Sequence, residues 1–122
     1  MTVTVQVGYC SKWNLGVVKE SVERKGEVTL SSKYGIWTVR KVKYEYIANS
    51  NILSLKTKPQ RIRVQLDYER GEVSFYDPSD MSHLYTYKDT FKEKMFPYFS
   101  PDTDNSDISL QICPLKLSVK KL

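Results

Sequence analysis

The stretch from Arg61 to Tyr76 alternates so strictly that it limits the fold more than any other part of the chain. Ile62, Val64 and Leu66 fall on one side of an extended strand, and Arg61, Arg63, Gln65 and Asp67 on the other, because strand side chains alternate between two faces. Glu69-Arg70-Gly71 then interrupts the pattern, ending in the residue that tolerates positive φ. Val73 and Phe75 resume the apolar side, with Ser74 and Tyr76 opposite. This is the pattern of a hairpin with one dry and one wet face. Each large apolar side chain contributes about 1.5–3 kcal/mol when fully buried. The dry face therefore needs a second layer, which the rest of the chain is expected to supply as further strands.

Strand signals recur along the chain. Thr2 to Gly8 alternates through Val3, Val5 and Val7, and Trp13 to Val18 is an apolar segment read as a buried strand. Ser21 to Glu27 and Ser31 to Gly35 read as turns around a short strand-like Val28-Thr29-Leu30. Ile36 to Val42 is rich in β-formers, and Tyr44 to Ile47 follows after a tight connection. Leu53 and Leu55 alternate briefly, and His83 to Tyr87 alternates weakly. Lys88 to Lys94 reads as one helical turn, Met95 to Phe99 as a short apolar run, and Ile108, Leu110 and Ile112 as a last strand. Short strands between turn signals, with no amphipathic helix, predict an antiparallel β-sandwich. The 122 residues suit one domain, here 1–115, followed by a basic tail over 116–122 that is expected to fray.

Nineteen basic against fourteen acidic residues give a net charge of +5. That permits a polyanionic partner without requiring one, and the positive residues are spread along the chain as on a solvated β face. Basic and aromatic residues interleave at Arg40-Lys41-Val42-Lys43-Tyr44-Glu45-Tyr46, a composition suited to stacking and phosphate contact. Strand alternation sends Arg40, Val42 and Tyr44 one way and Lys41, Lys43 and Glu45 the other, so no continuous basic stripe is expected. Cys10 and Cys113 are too few for a disulfide framework or a structural zinc set. They read as free thiols in a reducing compartment, with a single bridge as the alternative. No apolar run is long enough to span a membrane, and no signal peptide is evident at the N-terminus.

Catalytic patterns are sparse. One histidine, His83, rules out a paired-His or triple-His metal site. A Cys-His nucleophile requires Cys10 or Cys113 to meet His83 in space. The glycines are isolated and build no phosphate cradle. Asp102-Thr103-Asp104-Asn105-Ser106-Asp107 lacks the turn glycine and closing glutamate of a calcium loop and reads as a solvated loop. No catalytic residue, metal or cofactor is expected.

Several motifs together carry a family likeness. Leu66-Asp67-Tyr68-Glu69, then Gly71 and Val73-Ser74-Phe75-Tyr76, resembles the signature of the SPRY half of PRY-SPRY domains. These are the recognition modules of tripartite-motif ubiquitin ligases and butyrophilins. Trp13-Asn14-Leu15-Gly16-Val17, Gly35-Ile36-Trp37-Thr38-Val39, Phe96-Pro97-Tyr98-Phe99-Ser100-Pro101 and Ile112-Cys113-Pro114 resemble further family landmarks in the expected order. The style is closest to tripartite-motif proteins of fish. Three departures stand out. The PRY segment has no counterpart, Val3-Thr4-Val5-Gln6 stands where the family has Trp-Glu-Val-Glu, and the connection between Val42 and Tyr44 is shortened.

The resemblance implies a bent, concanavalin-like jelly-roll sandwich. It implies a non-catalytic module that recognises a peptide or folded protein through loops at one end, as the substrate-recognition part of a cytoplasmic ligase of innate immunity. Motif alignment places the partner-binding positions at Arg40, Val42, Asp102 and Thr103, with Tyr44 nearby. Asp67 and Tyr68 are expected to be structural, and Trp13, Trp37, Leu66, Phe75 and Phe99 to be core. The alternative function is a basic β-domain that binds RNA or another polyanion.

Overall fold

The computed structural model describes residues 1–8, 10–22, 30–101 and 117–120. Two antiparallel five-stranded sheets stack face to face. The first sheet runs β10-β1-β6-β7-β8, from Leu117–Lys120, Thr2–Gln6, Arg61–Asp67, Glu72–Asp77 and Ser82–Lys88. The second runs β5-β4-β3-β2-β9, from Asn51–Leu53, Glu45–Ala48, Ile36–Val42, Trp13–Lys19 and Met95–Pro101. The jelly-roll sandwich expected from the sequence is what forms.

The alternating hairpin is β6 and β7, paired Val64 to Phe75 and Leu66 to Val73. Gly71 closes its turn at φ 69°, where a side chain is strained. Ile62, Val64, Val73 and Phe75 are fully buried, and Leu66 packs at the edge of the same cluster. Val3 and Val5 of β1 extend this face, and Trp13, Leu15, Val17, Trp37 and Val39 cover it from the other sheet. Asp67 and Tyr68 are structural, as expected. Asp67 Oδ1 accepts from the Arg70 amide at 3.1 Å, and Tyr68 Oη donates to the Glu93 carbonyl at 3.0 Å.

Three expectations are corrected. Lys88 to Lys94 forms no helical turn. Phe91 is buried edge-on against Trp37, with ring centroids 5.1 Å apart, and Asp89 Oδ2 accepts from Trp37 Nε1 at 3.2 Å. An extended crossover delivers both contacts, and a helix would bury neither. Leu117–Lys120 does not fray but pairs with β1, because the free edge of β1 offers unsatisfied backbone groups. The turn expected at Ser31 to Gly35 is present as a 3-10 turn over Ser32–Tyr34, begun by the Ser31 side chain and ended by Gly35 at φ 82°. Cys10 is no free thiol: it is buried and disulfide-bonded. The cysteine argument for a reducing compartment therefore falls. The strands read at Val28-Thr29 and at Ile108 to Ile112 lie outside the described residues.

A buried polar contact ties the two sheets across the core. Tyr87 Oη donates to the Thr38 carbonyl at 2.6 Å. Burial raises the Tyr87 pKa far above the usual phenol range, with the neighbouring Tyr85 adding to it. The folded state thus keeps this proton where the unfolded chain has lost it. The stabilisation is full below pH about 10 and is lost as pH rises from there toward the folded-state pKa. Alkaline titration of the unfolding free energy is expected to show this fall, and Tyr87→Phe to flatten it. At neutral pH the same variant loses about 1–2 kcal/mol. An unchanged alkaline slope in Tyr87→Phe would assign the loss to another group.

Candidate functional site

β3 lies in the middle of the second sheet, between β2 and β4. Trp37 and Val39 point into the core. By alternation, Ile36, Thr38, Arg40 and Val42 point to the outer face. Register aligns Ser100 of β9, Asn14 of β2, Arg40 of β3 and Ile47 of β4 in one row across four strands. Val42 and Glu45 pair at the end of the next strand crossing, where the β3–β4 hairpin turns through Lys43 and Tyr44. In the adjoining row Gly16 lies between Tyr98 and Thr38, so no side chain stands there.

This row mixes a guanidinium, an amide, a hydroxyl and an aliphatic group. Arg40, Val42, Ile47 and Ser100 are half-buried and Asn14 is buried. All are held on strands, so little ordering cost accompanies binding. Arg40 offers a planar fork for a carboxylate or a phosphate. The rim is fixed by Asn49, whose side chain accepts from the Ser32 amide at 3.0 Å and donates to Ser32 Oγ at 2.9 Å. This staples the 3-10 turn to the β4–β5 connection.

The structure brings Arg40 and Val42 together on one face. It moves Tyr44 off that face, because β3 ends at Val42 and the left-handed Lys43, at φ 56°, turns the chain. Tyr44 sits at the tip, 95% exposed. Asp102 and Thr103 lie outside the described residues. Asn14, Ile47 and Ser100 were not expected from the sequence. The one available signal was Asn14, a polar residue inside the apolar run from Trp13 to Val18. Elsewhere, His83 Nε2 lies 2.6 Å from Thr86 Oγ1 and its ring meets Tyr76. Among the described residues no cluster of three His, Cys, Asp or Glu can hold a metal, and no helix is long and apolar enough to cross a membrane.

Fold and face define a recognition module built on a two-sheet jelly roll. The chain belongs to the SPRY domain family, whose profile matches residues 2–113. It is 42% identical over 120 residues to the human E3 ubiquitin-protein ligase TRIM68, covering 91% of this chain and 25% of that protein. It is 41% identical over 107 residues to nuclear factor 7, brain, of Xenopus laevis, covering 80% of this chain and 17% of that one. The chain thus spans about a quarter or less of these relatives. The stonustoxin structure shares the fold, with a TM-score of 0.65, 23% identity, and coverage of 80% of this chain and 17% of that one. SPRY domains are non-catalytic protein-interaction modules, and the ligase relatives carry catalysis in other domains.

Proposed function

We propose that this SPRY domain binds a peptide or folded-protein partner on the outer face of β2, β3 and β4, with Arg40 and Val42 central and Tyr44 at the rim. Asp102 and Thr103, which follow Pro101 in the sequence, complete the proposed contact set. The row Ser100, Asn14, Arg40 and Ile47 carries this reading: mixed chemistry on a rigid sheet beside an exposed aromatic turn. Similarity to ligases such as TRIM68 and mouse TRIM69 supports a role as the substrate-recognition end of a tripartite-motif ubiquitin ligase. We extend that role to cytoplasmic innate immunity on the resemblance alone, since the bridged Cys10 does not argue for a reducing compartment.

The test is partner capture by the purified chain with cross-linking at the captured surface. Arg40→Glu with Val42→Asp is expected to weaken capture about tenfold or more. Unfolding free energy should stay within about 1 kcal/mol of the parent, as for most surface substitutions. Full capture by the double variant moves the surface elsewhere on the domain.

A further inference from the structure

The opposite side of β3 holds a second cluster, which meets the proposed face at the rim residue Tyr44. At the end of the sandwich, between the β3–β4 turn and the loop of residues 54–60, lies a cavity of about 440 Å³. Lys41, Lys43, Lys56 and Lys58 line it with Tyr44, Tyr46 and Ser11, and no acidic residue among the described residues does. These lysines are spread along the sequence, and the fold gathers them. That corrects the expectation of scattered charge.

Lys41 is only 6% exposed. A buried ammonium is costly unless an opposite charge faces it. Here its neighbour is another cation. Burial, and then the charge of Lys58 and a hydrogen bond with that side chain, push the Lys41 pKa down. The Tyr46 ring, 5.6 Å from Lys41 Nζ, offsets part of this cost. Tyr46 lines the same cavity, and its hydroxyl is buried with no hydrogen-bond partner. Trp13, opposite Lys41 in register, also has its indole N–H buried without a partner. Donors and positive charge converge from a strand, its neighbour and a loop, and among the described residues no acceptor with negative charge meets them. A water satisfies the phenol but leaves the ammonium charges uncompensated.

We propose that this cavity binds a phosphate-type oxyanion between Lys41, Lys58 and the Tyr46 hydroxyl. A tetrahedral dianion supplies enough oxygens for donors arriving from three directions. The source is either a free phosphate or a phosphoryl group on a bound peptide. The anion-binding groups Lys41, Lys58 and Tyr46 lie across β3 from Arg40 and Val42 and share with that face the rim residue Tyr44, which the test leaves unchanged, so each proposal can fail without the other.

Amide NMR of the labelled chain tests this, titrated at physiological salt with inorganic phosphate, with a phosphoserine peptide and its unphosphorylated twin, and with acetate. Phosphate is expected to shift the resonances of Ser11, Lys41, Tyr46 and Lys58. Lys58→Ala, in an exposed loop, should weaken binding about tenfold with unchanged melting. Tyr46→Phe should weaken it several-fold while melting at or above the parent temperature, because its hydroxyl is unpartnered in the free state. Lys33→Ala, on the 3-10 turn, should change nothing. Inorganic phosphate binding as tightly as the phosphopeptide identifies a free anion, and a phosphopeptide about tenfold tighter identifies a partner-borne group. No response at Lys41 and Tyr46 up to millimolar phosphate overturns the proposal, as does an equal response to acetate. Oligonucleotide binding that phosphate does not compete, and that Lys33→Ala weakens as much as Lys58→Ala, overturns it in favour of a diffuse polyanion surface.

Discussion

Phe75→Ala is expected to lower the unfolding free energy by about 4 kcal/mol, within the range for deleting a buried aromatic ring. Phe75 has no exposed surface. It sits on β7, between β6 and β8, and opposes Val64 and Tyr85. Its ring meets Tyr87 edge-on at 6.1 Å, and Tyr87 in turn reaches the Thr38 carbonyl of the other sheet. The deletion therefore opens a cavity beside the buried Tyr87–Thr38 tie between the layers. Against a total stability of about 5–15 kcal/mol the loss is large, and it lowers the melting temperature by about 12–15 °C. A urea midpoint that falls at constant slope is the expected reading. Partner affinity measured in the cold, on the molecules still folded, should stay close to that of the parent, since Phe75 lies in the sheet opposite Arg40 and Val42. A loss below about 1 kcal/mol would mean the core does not close around this ring.

The part of the fold written in local alternation was legible. β1, β6 and β7 follow from period-two patterns and β2 from a continuous apolar run, and one buried face selects one register within a hairpin. The row that forms the candidate face was not legible beyond Arg40 and Val42. Asn14 meets Arg40 and Ser100 only through pairings between segments far apart in sequence, and no local pattern sets that register. Tyr44 was misplaced because alternation was carried through a residue pair that turns the chain. The extended path from Lys88 to Lys94 is set by Phe91 and Asp89 reaching Trp37, a tertiary demand that overrides helix-forming lysines. The lysine cavity was invisible for a similar reason. Lys41 and Lys43 belong to one hairpin and Lys56 and Lys58 to a later loop, and their meeting is a property of the folded sandwich.

Gly16→Ala is expected to remove stability and binding together, although it deletes no side chain. Gly16 lies on β2, opposite Thr38 on one side and Tyr98 on the other. A Cβ there runs into the Trp37 carbonyl and comes within 2.8 Å of Thr38 Cα. Both obstacles are backbone, so no rotamer change relieves the clash, and β2 and β3 must move apart. β2 is flanked by β3 and β9 in the same sheet, which leaves little room to shift. The cost is about 3 kcal/mol, the upper part of the range for overpacked cores, or about 10 °C in melting temperature. Separation of β2 from β3 also pulls Asn14 away from Arg40, its register partner, and disorders the row that the partner is proposed to read. Arg40→Glu with Val42→Asp should lose binding at near-normal stability, and Phe75→Ala should lose stability at near-normal affinity. Gly16→Ala should lose both, with affinity still reduced at temperatures where the variant is fully folded. Parent-like melting and parent-like affinity in Gly16→Ala would show that β2 and β3 tolerate a wider spacing, and that the geometry of the row does not set recognition.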